Sequence, residues 1–186
     1  MHLRQILFTA SLFAPLTLAA PASSAGEEHE HQHRRHGAHV HGIAALNLAL
    51  EGQEVQMELD SPAVNIVGFE HAPGSEADHA ALDQAIAALK QGDRLFRFND
   101  GAGCRMDSAN VTSALLDDGH ENHEHEGHTD IQAAYHFQCD EPGKLTQLTV
   151  ELFEIFPGMQ KLEVQYIIED RQGAAELTAD GHAIKF

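Results

Sequence analysis

Histidine is the residue type through which this chain can do chemistry: 15 of its 186 residues are His, and most of them fall into groups. His39 and His41 flank Val40, and the same His-x-His spacing relates His29 to His31, His31 to His33, and His123 to His125. In an extended backbone, residues i and i+2 project to one face about 6.6 Å apart, so both imidazoles can reach one ion at metal–nitrogen distances of about 2.0–2.1 Å. One such pair is easily the surface pattern of a strand. Four pairs in one chain, interleaved with glutamates and with one pair far from the N-terminus, point to metal binding rather than to a tag. His36 extends the first group, and His120 and His128 flank the second.

Ligand softness narrows the metal. The methionines beyond the N-terminal segment, Met57, Met106 and Met159, are too scattered for a Cu(I) thioether site. Imidazole with carboxylate suits Zn(II), with Ni(II) and Cu(II) close competitors; intrinsic affinity favours copper, so zinc is chosen on availability. The oxygen-rich, Asp-alternating loops that calcium requires do not occur. The same histidines also admit a pH-sensing or metal-storage module, since imidazoles with an ordinary pKa near about 6.5 charge on mild acidification. The readings are linked, because a metal needs the neutral imidazole and its affinity falls below about pH 6.5. A zinc-dependent hydrolase is the reading from another class. It needs three protein ligands, an open water position and a general base. His120-Glu121-Asn122-His123 is one residue short of H-E-x-x-H and sits in a polar loop bounded by Gly119 and Gly127. No G-x-S-x-G elbow or phosphate-cradling glycine loop is present, so no catalytic residue is assigned and the chain is not read as an enzyme.

These histidines act outside the cytoplasm if the N-terminus is an export signal. Arg4 precedes an apolar run from Ile6 to Ala20, and small residues around Ala20-Pro21-Ala22 and Ser23-Ser24-Ala25 offer cleavage sites, so residues 1–25 read as a secretory signal peptide. The run is shorter than the roughly 20 apolar residues of a membrane span and contains Pro15, so no membrane association is expected. Removing that segment takes away Arg4 and no acid, which leaves 10 basic against 29 acidic residues and a net charge of -19. Such a surface does not bind nucleic acid, which requires basic patches. In an oxidising compartment Cys104 and Cys139, which lack C-x-x-C spacing, are expected to form a disulfide holding the base of the histidine-rich loop between them.

The remaining sequence must supply the elements that position these groups. Residues 26–38, with no apolar side chain from Gly26 through His36, read as a flexible His-rich arm; residues 39–186 read as a single zinc-binding domain with a disordered His-rich loop inserted at 117–130. Ala44 to Leu50 and Val55 to Leu59 alternate apolar and polar residues around Gly52, the pattern of a β-hairpin, and Pro62 to Phe69 reads as a third extended piece. Ser75 to Gln91 switches to helical period, with Ser75 as N-cap and Gly92 closing the helix. Leu95–Phe98, Arg105–Val111, Ile131–Cys139, Leu145–Phe153, Lys161–Ile168, Ala175–Thr178 and Ala183–Phe186 are short and rich in β-branched and aromatic residues. The fold class is α+β and β-rich, with antiparallel, sandwich-like sheets and one main helix at about 75–91.

Three blocks make the chain recognisable: His41-Gly42-Ile43-Ala44-Ala45-Leu46-Asn47-Leu48-Ala49-Leu50-Glu51-Gly52; Leu59-Asp60-Ser61-Pro62-Ala63 with Asn65; and Gly68-Phe69-Glu70-His71-Ala72-Pro73. With Phe156-Pro157-Gly158-Met159 and Ala175-Glu176-Leu177-Thr178, they resemble the ZrgA-type zinc uptake family across nearly the whole mature chain. The resemblance implies a non-catalytic periplasmic zinc-binding protein, made under zinc limitation and working beside a zinc ABC importer or its solute-binding protein. Carried onto this chain, it implies His39, His41, Glu70 and His71 as ligands, and His120, His123, His125 and His128 as the histidine-rich insertion.

Overall fold

Alternation of apolar and polar side chains builds the first hairpin, as its sequence requires. The computed structural model describes residues 40–116 and 129–186, all within the compact unit His36–Phe186. Strand β1 (Ile43–Glu51) turns Ala44, Leu46, Leu48 and Leu50 inward, and β2 (Glu54–Pro62) does the same with Val55, Met57 and Leu59. Their register, Glu51 opposite Glu54, leaves a two-residue loop, and Gly52 takes the positive φ of 61° that such loops place at their first position.

After β2 the backbone departs from the expected extended piece. Residues Ala63–Val67 form a short helix, α1, entered through Pro62 and ended by Gly68 at φ 88°, whose N–H returns to the Val64 carbonyl at 3.1 Å. An apolar run this short fits either period. Pro62 still pairs with Asp130 on β5, and the helical turn beyond it is settled by packing, which buries Ala63 and Ile66 in the core. Helix α2 (Glu76–Leu89) starts where its cap predicts. Ser75 Oγ accepts from Asp78 N–H at 3.1 Å and Asp78 Oδ2 accepts from Ser75 N–H at 3.0 Å, a reciprocal capping box. The helix stops before the expected Gly92, which instead opens α3 (Gly92–Leu95). Glycine is needed there for space: a Cβ would lie 2.5 Å from Met106 Sδ and 2.9 Å from Tyr135 Cδ1.

Next come β3 (Phe96–Phe98), β4 (Cys104–Ser113), β5 (Asp130–Cys139), β6 (Gln147–Val150), helix α4 (Leu152–Ile155), β7 (Lys161–Ile168), β8 (Arg171–Leu177) and β9 (Ala183–Lys185). The expected single strand over 145–153 is thus a four-residue strand followed by a helical turn. Six strands form one sheet in the order β4-β5-β2-β1-β7-β8, and three form a second in the order β3-β6-β9. All neighbours are antiparallel except β1 and β7, which run parallel. Both sheets' inner faces and Leu82, Ala85 and Leu89 of α2 share one buried cluster, so the chain is β-rich with one main helix, as expected.

Cys104 and Cys139 form the expected disulfide, but in a different place. They face each other where β4 begins and β5 ends, whereas the histidine-rich segment leaves from the other end of this hairpin, beyond Ser113 opposite Ile131. The bridge therefore closes the far end of the hairpin and not the base of the loop.

Two outcomes follow. Replacing both cysteines by serine should destabilise the fold by about 2–4 kcal/mol in urea unfolding, the range for bridging a loop of this length. Asp78 should show a pH signature, because hydrogen bonds from Gly74 N–H and then Ser75 hold its carboxyl below the ordinary 3.8. A depressed carboxyl stabilises the fold above its ordinary pKa, and that contribution disappears as pH falls through the lower folded value. Asp78→Asn should therefore lower the thermal midpoint at pH 7 and lose this effect in strong acid.

Candidate metal site

One end of the six-stranded sheet gathers the segments of interest. Here β1 begins, β2 runs into α1, β4 ends, and β5 and β7 begin. The chain enters the described fold at Val40, leaves it at Leu116 and returns at Thr129, all at this end.

His41 is set by the glycine that follows it. Gly42 has φ +86°, and its carbonyl accepts from the N–H groups of Gln160 (2.8 Å) and Lys161 (2.9 Å). Its own N–H donates to Asn65 Oδ1 at 2.7 Å, while Asn65 Nδ2 donates to the Ile43 carbonyl at 3.0 Å and to Ser61 Oγ at 3.3 Å. Glu70 follows α1 by way of the left-handed Gly68. Its carbonyl accepts from Thr129 Oγ1 at 3.1 Å, and the Thr129 carbonyl accepts from Ala63 N–H at 2.8 Å. These two backbones bring His41 Nε2 within 3.1 Å of Glu70 Oε1; the histidine side chain is 59% exposed and the glutamate 22%. An imidazole nitrogen and a carboxylate oxygen so placed are two donors of the kind that zinc accepts.

The other expected ligands are distributed differently. His71 follows Glu70 directly, but its ring stacks on Phe69 with centroids 4.9 Å apart and its Nδ1 lies 3.0 Å from the Ala72 carbonyl. Among the described residues no three His, Cys, Asp or Glu side chains stand close enough together to hold a metal ion. His39, the arm residues His29, His31, His33 and His36, and the loop residues His120, His123, His125 and His128 lie outside the described residues, as does the expected leader. Lys161 supplies positive charge at this end, but its ammonium is engaged by Glu163 at 2.7 Å and Glu176 at 3.4 Å. The hydrogen bond to Glu163 is the main cause that holds its pKa above the ordinary value.

Sequence reasoning gave Asn65 and Thr129 no part in shaping this end. For Asn65 a signal existed: it is a lone amide inside the apolar run Ala63-Val64-Asn65-Ile66-Val67 and ends up 3% exposed. A buried polar side chain needs partners, and here they are the backbone on either side of the Gly42–Ile43 bond. Thr129 had no such signal, because its role depends on where the chain returns.

Fold and donors together define a β-rich protein that presents imidazole and carboxylate at one end of its large sheet, where two histidine-rich stretches of sequence join it. The chain belongs to the family described as ZrgA family zinc uptake protein, which matches residues 38–186. Its role accordingly lies in zinc uptake, and the family is one of uptake proteins rather than of enzymes. No curated protein matches the chain.

Removing the tie between the returning chain and the Glu70 segment should be measurable. Thr129→Val deletes the hydroxyl donor with little change of shape and should cost about 0.5–1.5 kcal/mol in urea unfolding, the usual net worth of one such hydrogen bond.

Proposed function

We propose that this protein captures Zn(II) in the periplasm and hands it to an importer, an ABC system or its solute-binding protein being the partner. The observation that carries the reading is the His41–Glu70 pair, 3.1 Å apart, at the sheet end where the chain leaves at Leu116 and returns at Thr129 around the histidine-rich sequence. In this reading His41 and Glu70 are the fixed ligands, and His39 and His71 close the shell only around a captured ion. His120, His123, His125 and His128, with His29, His31, His33 and His36, collect ions and deliver them. Two firmly held donors leave half of a tetrahedral zinc shell open, and an open shell suits cargo, which must arrive and leave, better than a closed structural site does. The disulfide and the family assignment agree with an oxidising periplasm, reached through a signal peptide at 1–25. A surplus of acidic residues raises the local cation concentration, over a range of about 8 Å in physiological salt.

Calorimetry with Zn(II) on the untagged protein should give more than one ion per chain. Deleting residues 119–128 should lower that count while the far-UV circular dichroism and the disulfide stay unchanged; an unchanged count removes the loop from the mechanism. His41→Ala and Glu70→Gln should each weaken the tightest binding step in competition with a chelator, and wild-type affinity in both removes the fixed site.

A further inference from the structure

We propose that Asn65 is the positioning residue of the zinc site: its side-chain amide, without touching the ion, holds the His41 backbone against the helix that leads to Glu70. This deepens the capture reading and rests on it.

The two donors come from segments that the sequence separates and that share no strand. His41 precedes β1, and Glu70 follows α1. The Asn65 amide is the link. Its oxygen accepts from Gly42 N–H at 2.7 Å and its nitrogen donates to the Ile43 carbonyl at 3.0 Å, so it grips the chain immediately after His41 from both sides. Asn65 itself sits in α1, which ends at Gly68, two residues before Glu70. The grip is fixed in turn. Ser61 Oγ, wholly buried, takes the amide's other donated bond at 3.3 Å. From the opposite side, Gly158 packs so closely that a Cβ there would come within 2.7 Å of the Asn65 carbonyl oxygen and 3.0 Å of its Cα. A side chain that is 3% exposed and uses both ends of its amide has no alternative partners in water to relax toward. Asn65 therefore fixes the separation of the two backbones from which His41 and Glu70 reach toward each other. Leucine, of similar size, would fill the space but could make neither bond.

A double-mutant cycle on the full chain tests this, with Zn(II) as the probe and a competing chelator reading the tightest step. Groups that orient a metal ligand typically cost about 10–100-fold in affinity when removed. His41→Ala and Asn65→Ala should each fall in that range, and the double variant should bind no more weakly than His41→Ala alone. Leu148→Ala, a core truncation in the small sheet, should lower the thermal midpoint without weakening the tightest step, which separates positioning from general loss of stability. Should Asn65→Ala lack the native circular dichroism spectrum, Asn65→Ser, whose hydroxyl is too short to span both backbone groups, carries the same cycle. Wild-type affinity in the Asn65 variant, or losses that simply add to that of His41→Ala, overturns the proposal while leaving zinc capture at His41 intact. Unchanged binding in both His41→Ala and Glu70→Gln overturns the capture site itself, and this proposal with it.

Discussion

A buried amide has few ways to be satisfied, and that constraint organises the end of the sheet where His41 and Glu70 meet. Asn65 lies between apolar neighbours in sequence, in a buried position where an unpaired amide would cost about 1–3 kcal/mol. Its bonds to Gly42 N–H and the Ile43 carbonyl are for that reason obligatory features of the fold. They give the segment before β1 and the segment after α1 a common point of reference. The exposed donor, His41, thus hangs from a buried network, which is how a largely solvated imidazole can keep a defined position.

The two faces of the large sheet divide the remaining work. Inward side chains such as Leu46, Met57, Tyr135 and Leu162, each at most 1% exposed, supply cohesion. Outward positions on the central strands are small or polar, Ala45, Asn47 and Ala49 on β1 beside Gln56 and Glu58 on β2, and contribute little to it. The His41–Glu70 pair lies at the strand ends instead, next to the left-handed turns at Gly42 and Gly68.

Much of the scaffold was legible because its elements obey one periodicity each. The hairpin of β1 and β2 follows from alternation, β7 occupies the very span that its composition marked, and Ser75 announces α2. Failures came where a short apolar run serves two periods. Pro62 to Phe69 and Leu145 to Phe153 each contain a strand end and a helical turn, and only the packed partners decide between them. At the site, the residue types were legible and the contacts were not. His41 and Glu70 meet because two glycines adopt left-handed φ and an asparagine bridges the segments. Nothing in local spacing encodes that meeting. His71 shows the converse: adjacency to Glu70 in sequence did not place its ring beside His41, because stacking on Phe69 turns it elsewhere.

The covalent link between Cys104 and Cys139 has a consequence through its position. Since it pins β4 to β5 at the end remote from the histidine-rich stretch, the ladder's register is secured without reference to how many residues separate Leu116 from Thr129. Doubling a connecting segment adds only about 0.6 kcal/mol of closure entropy. The number of residues between Leu116 and Thr129 can thus change while the pairing of β4 with β5 stays as it is.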